Sequence, residues 1–223
     1  MKVAIHQVNY LPWLGFFNKL KQVDKFVMYD IAKYIKNDIQ NRSKIRTKEG
    51  WIYLTVPIEK KGHTKPLYQV LISNKNDWRT KHWKSLVLNY SKADYFDSYK
   101  YFFEKLYKTK FDNLYKLNKE IVIYLLKEFG ISVELIETTN LSLNMELKST
   151  DMLLEILKQV GATTYVSGVG SKSYLEENKF KDIKLIYHNF KHPIYKQSYL
   201  GFEPYMAAID LLFNKGEKAG ETI

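Results

Sequence analysis

Residues 1–17 read MKVAIHQVNYLPWLGFF, and the fold is read outward from this stretch. Val3, Ala4 and Ile5 form a short apolar run, expected as a buried strand. His6, Gln7, Asn9 and Tyr10 follow as a polar loop. Pro12 stands where a first helical residue is expected, a position that tolerates its missing N–H. Apolar residues then recur at 13, 16, 17, 20 and 23, the helical spacing, and Phe26–Tyr29 reads as a second buried strand. Strand, helix and strand in so short a stretch is the size of a parallel βαβ unit. A strand that empties into a polar loop and a helix is also where α/β proteins place ligands.

The rest of the chain supports that class. Trp51–Val56 is strongly β-prone and ends at Pro57; Leu67–Ile72 is expected as its partner in a hairpin or an edge. Asp77 is a candidate N-cap for the helix that follows it, with further helices over Ser98–Lys108 and Leu114–Phe129, the last stopped by Gly130. Beyond it, strands (131–136, 164–166, 183–187) alternate with helices (150–160, 172–178), and Pro204 is expected to open a last helix through Phe213. The expected fold is α/β: a mainly parallel, Rossmann-like layered sheet with a helical insertion or cap around residues 77–129. Residues 1–223 are expected to form a single domain.

Composition narrows the function. The 223 residues contain no Cys, which removes disulfides, thiol catalysis and Cys-ligated zinc together. The N-terminus lacks the pattern of a signal peptide, and no apolar run approaches a membrane span, so a cytoplasmic protein without a transmembrane segment is expected. The formal net charge is +11, but only Arg42, Arg46 and Arg79 are arginines. Lysine spread over every segment argues against specific nucleic-acid reading, which leans on arginine forks. Attraction to a phosphorylated small molecule or an anionic surface stays open.

Four groups of residues carry candidate chemistry. His6 and Gln7 stand at the end of the first strand, where an imidazole could donate to a phosphate or simply bond its own loop. Asn41, Arg42, Lys44 and Arg46 lie in NRSKIR; in an extended segment 42, 44 and 46 share one face and could grip phosphates. Ser167, Gly168 and Gly170 lie in a strand-to-helix loop, where glycines could form an anion-binding nest or only a tight turn. His188, His192, Tyr195 and Gln197 lie in HNFKHPIYKQ, where Pro193 opposes the helix a metal-binding histidine pair needs; no metal site is expected. His82 is expected to decorate a helix face. Asp210, among apolar neighbours, is either a paired structural carboxylate or a site residue.

HQVNYLPWLGFFNKL at 6–20 resembles the opening HQPNYLPWLGYF of the WbqC-like family. YDIAKY with NRSKIR, GWIYLTVP, YVSGVGSKSYL and GFEPYMAAIDLLFNKG are similar to that family's later blocks, in order, over about residues 1–216. Val8 replaces the usual proline, and YDIAKY retains one acid, Asp30, of a more acidic block. The family is associated with bacterial surface-polysaccharide, O-antigen-type biosynthesis, and some members are labelled as transferring glycine or an aminoacyl group to an amino sugar. The resemblance therefore implies an enzyme that transfers an acyl or aminoacyl group to a nucleotide-linked amino sugar, using ATP or an activated acyl donor. Under it, His6 and Asp30 are catalytic, and Gln7 and Asn9 contact the donor. Asn41, Arg42, Lys44 and Arg46 meet phosphate charge, while Ser167, Gly168 and Gly170 offer backbone donors. Tyr10, Trp13 and Tyr195 supply stacking walls, with His192 and Gln197 beside them. A non-catalytic nucleotide-sugar-binding protein of the same pathway is the alternative, and an RNA-binding module using lysines and aromatics the third reading.

Overall fold

A computed structural model describes all residues, 1–223. In chain order its main elements are β1 (Lys2–His6), α1 (Leu14–Leu20), β2 (Lys25–Met28), β3 (Arg42–Thr47), β4 (Gly50–Thr55), α2 (Trp78–Tyr90), α3 (Phe96–Lys108), α4 (Leu114–Glu128), β5 (Glu134–Glu137), α5 (Ser149–Gln159), β6 (Thr164–Gly168), β7 (Lys184–His188), α6 (Ile209–Lys215) and α7 (Ala219–Thr222). The chain folds as two compact units interleaved in sequence. The first unit comprises residues 1–7, 18–32 and 132–191; the second comprises 8–17, 33–131 and 192–223.

The first unit is built on a five-stranded sheet in the order β5-β2-β1-β6-β7, every pair parallel. Counting only its own strands in chain order, this is 3-2-1-4-5, the order of the doubly wound, Rossmann-like folds. Its strands are apolar where they are buried: Val3 and Ile5 project to one face, as a period of two requires, and meet Val27, Tyr165 and the Met152, Leu153, Ile156 and Leu157 stripe of α5. Gly161, at φ +72°, ends the α5 segment as the sequence suggests.

The second unit holds the two-stranded antiparallel hairpin β3–β4 and the helices α2, α3 and α4. Asp77 caps α2 by accepting from Thr80 N at 3.2 Å, and Gly130 takes φ +62° after α4, both as expected.

Four expectations are corrected. The partner of Trp51–Val56 is not Leu67–Ile72 but NRSKIR: β3 pairs with β4 from Arg42↔Thr55 to Thr47↔Gly50. Gly50, at φ +126°, closes that turn, whereas Leu67–Gln69, entered from Pro66, forms a 3-10 turn. Pro12 does not open α1, which starts at Leu14; Leu11 takes φ +44° and turns the chain before it. Pro204 does not open α6 either. Tyr205 is at φ +62°, and the next backbone donors leave the helical pattern, Ala207 N bonding Lys44 O and Ala208 N bonding Pro12 O, both at 2.8 Å. Residues 172–178 do not form one helix; short 3-10 turns occupy Val169–Ser173 and Glu177–Lys179.

Candidate functional site

In the first unit, parallel pairing brings the C-terminal ends of β1, β6 and β7 to one edge, so His6, Gly168 and His188 end neighbouring strands, with Gly168 opposite His188. His6 is half-buried and its Nδ1–H donates to Gln7 O at 2.8 Å. Burial, and then the charge of Lys19, lower its pKa to about 3, so the imidazole is neutral. Lys19 is 3% exposed and burial lowers its pKa to about 7. His188 donates from Nε2 to Asn18 Oδ1 at 2.6 Å and is held below its ordinary pKa by burial and then by Lys19.

The glycine loop is not a nest. Neither Gly168 nor Gly170 has positive φ, and the turn is tied by side chains instead. Ser167 Oγ and Ser171 Oγ lie 2.7 Å apart, and Ser171 donates to Gly168 O at 2.7 Å. Asp30 is buried and receives Thr138 Oγ1–H, Thr139 N–H at 3.1 Å and Thr139 Oγ1–H at 2.6 Å, a full set of local donors that fixes the end of β2.

In the second unit a cleft of about 310 Å³ is lined by Asn9–Trp13, Asp38, Ile39, Arg42–Lys44, Tyr53 and Tyr205. Strand β3 delivers Arg42 and Lys44 with the same facing, two residues apart, and the hairpin places aromatic rings under them. The Arg42 guanidinium lies 4.4 Å from the Tyr53 ring centre and the Lys44 ammonium 3.8 Å from that of Trp51. Such stacking orients a cation without neutralising it. Trp13 and Tyr205 stand with ring centres 5.7 Å apart. Asn9 is 1% exposed, and neither its Oδ1 nor its Nδ2 has a hydrogen-bond partner. Two of the cleft residues, Leu11 and Tyr205, are the left-handed positions already noted, a conformation that costs of order 1–3 kcal/mol away from glycine and clusters at functional sites.

Other predicted site residues serve the fold. Arg46 shares a strand with Arg42 and Lys44 but is buried, donating to Thr47 O, Gly50 O and Leu200 O at 2.5, 2.8 and 2.7 Å. Asn41 donates to Val56 O at 2.8 Å and extends the hairpin. Tyr10 is no stacking wall: its ring is buried, bonded through the hydroxyl to His82 Nδ1 at 2.8 Å and Tyr107 OH at 2.6 Å. His82 therefore lies inside rather than on a helix face, neutral with its pKa lowered to about 4 by burial. Tyr195 OH and Gln197 Nε2 donate to Asp210 Oδ2 at 2.7 and 2.9 Å, and Tyr90 OH donates to its Oδ1 at 2.9 Å. Asp210 is thus the paired structural carboxylate, although burial still raises its pKa. His192 accepts from Tyr205 N at 3.1 Å and so braces a cleft residue from behind.

Of the predicted residues, the cleft gathers Asn9, Tyr10, Trp13, Arg42 and Lys44, while His6, Ser167 and Gly168 lie at the ends of two neighbouring strands in the other unit. Sequence reasoning missed Asp38, Tyr53, Tyr205 and Lys19. The period-two pattern in NRSKIR-TKEG-WIYLTV could have found Tyr53, opposite Lys44 in the hairpin. Nothing in sequence marks Lys19, which reads as one more lysine of a lysine-rich chain.

No helix is long and apolar enough to cross a membrane. No solved structure matches the chain. An uncharacterized protein of Mycobacterium tuberculosis, Rv1507c, is 35% identical over 224 residues, covering 98% of this chain and 95% of that protein. The profile of the WbqC-like protein family spans residues 7–222, and with that coverage the chain belongs to the WbqC-like family.

Proposed function

We propose that the protein acts in bacterial surface-glycan biosynthesis, transferring an acyl or aminoacyl group to a nucleotide-linked amino sugar held in the Asn9–Tyr205 cleft. The general association of the family with polysaccharide biosynthesis supports the pathway. The observation that carries the reading is the cleft's composition: two cations unpaired with acids, aromatic walls and an amide without partners. Arg42 and Lys44 suit a diphosphate. Trp13, Tyr53 and Tyr205 suit the flat faces of a base or sugar. Asn9 presents a donor and an acceptor side by side, the complement of a nucleobase or other amide edge. Its amide is closed to water, so binding moves the side chains over it, with the strained Leu11 and Tyr205 backbones as the yielding points.

The lining residues contain no nucleophile activated by a base: Ser43 Oγ–H is committed to Leu11 O at 2.7 Å, and no histidine borders the cleft. Direct transfer fits this set. The sugar amine attacks the activated acyl carbonyl, the C–N bond forms as the bond to the donor's leaving group breaks, and Asp38 takes the proton released by the amine. Positioning and electrostatics supply the rate. The test is product formation from an amino-sugar nucleotide with ATP and glycine or with an acyl donor. Arg42→Ala with Lys44→Ala is expected to abolish it, and unchanged turnover refutes the assignment. The absence of a nucleophile also suits the second reading, binding without turnover, for which ligand binding with no product across donors is the expected result.

A further inference from the structure

Lys19 has no role in the cleft, and its surroundings ask for one. The sheet of the first unit reverses direction between β1 and β6: the chain goes from β1 to β2 and β5 on one side, and returns with β6 and β7 on the other. Loops leaving two such strands diverge, and the crevice beyond their C-terminal ends is where open α/β sheets hold ligands. His6 and Gly168 end those two strands, and His188 ends the next. Gly168 and Gly170 leave this edge open, since a Cβ built on either meets nothing within 4 Å. Asn18, the residue before Lys19, holds His188 at 2.6 Å, which brings the end of α1 to this edge, where β1 and β7 flank β6.

Lys19 is 3% exposed and makes neither an ion pair nor a hydrogen bond. A buried ammonium without a counter-ion is costly. The neighbouring imidazoles do not offset that cost, being neutral themselves. We infer that the switch point between β1 and β6 is a binding site for a phosphoryl anion, held by Lys19 between His6 and His188 with Gly168 leaving room for it. A compact ammonium is a strong partner for such oxygens. Burial depresses Lys19 toward neutrality, and the anion restores its charge. This site rests on the first unit alone and stands whether or not the cleft holds a sugar.

The test is calorimetric titration of the full chain with pyrophosphate, ATP and a sugar 1-phosphate, on wild type, Lys19→Met and Gly168→Val. Wild type is expected to bind at least one probe. Lys19→Met, matched in size but uncharged, is expected to weaken that binding at least tenfold. Binding of ATP without sugar phosphate identifies a donor nucleotide, and the converse identifies the sugar substrate. No binding of any probe by wild type, or equal binding by folded Lys19→Met, overturns the site. Should Lys19→Met fail to fold, Gly168→Val decides, because its side chain enters open space at an extended backbone position. Tenfold weaker binding then supports the site, and unchanged binding overturns it.

Discussion

Two of the places where the second unit buries polar groups treat them oppositely. Around Asp210, Tyr90, Tyr195 and Gln197 all converge on one carboxylate, and nearby Arg46 spends its terminal nitrogens on three backbone carbonyls, only Nε lacking a partner. Around Asn9, the amide has no partner, and Arg42 and Lys44 face rings rather than acids. A polar group satisfied internally holds the fold and keeps no bonding capacity for a ligand. One left open lowers stability and persists where it is used. Residue type therefore does not separate scaffold from site here, since both hold arginine, tyrosine and an amide. Satisfaction does.

The contrast makes predictions that differ in size. Asp210→Ala strands three donors in the core and is expected to lower stability by about 3 kcal/mol or more, measured by urea unfolding. A loss below about 1 kcal/mol would break the scaffold half of the comparison. Arg46→Met orphans the Thr47, Gly50 and Leu200 carbonyls and is expected to cost about 2 to 3 kcal/mol.

The first unit extends the same reasoning to Lys19. Its pKa is about 7 in the folded state against 10.5 when exposed, so between these values the unfolded chain binds one more proton. Stability should therefore rise with pH from about 7 to 10.5, with a slope of up to about 1.4 kcal/mol per pH unit, and be lost as pH falls through 7. Lys19→Met should remove that slope; a variant with an unaltered pH profile shows that the lysine is not buried as described. The smallest stability effect belongs to Arg42→Ala and Lys44→Ala, each expected to cost under about 1 kcal/mol. Each should nonetheless weaken nucleotide-sugar binding about tenfold. The ratio of the two effects sharpens the comparison, because Arg46→Met should show the reverse.

Much of the parallel sheet was legible because its strands are short apolar runs bounded by turn residues, and helices fill the gaps. Hairpin pairing was not legible: NRSKIR is too polar to advertise a strand, and Gly50 rather than composition dictates its turn. Asn9, Trp13, Arg42 and Lys44 could be picked as candidates, the first two from their place in the loop after the first strand and the last two from the arginine-rich NRSKIR of an arginine-poor chain. Arg46 could not be separated from Arg42, since both lie on one strand at even spacing, and burial comes only from tertiary packing. His82 and Lys19 failed for a related reason. Their meaning depends on what surrounds them after folding, and the sequence around each is ordinary.

The claim that the Asn9 amide, with neither polar atom partnered, marks the ligand site is tested most directly by Asn9→Leu, with unfolding and nucleotide-sugar titration performed on the same preparation. The substitution keeps the size and removes a buried donor and acceptor that have no partners. Stability is expected to rise by about 1 to 2 kcal/mol while affinity for the nucleotide sugar falls at least tenfold. A variant that is less stable than wild type and binds the ligand equally well would contradict the account.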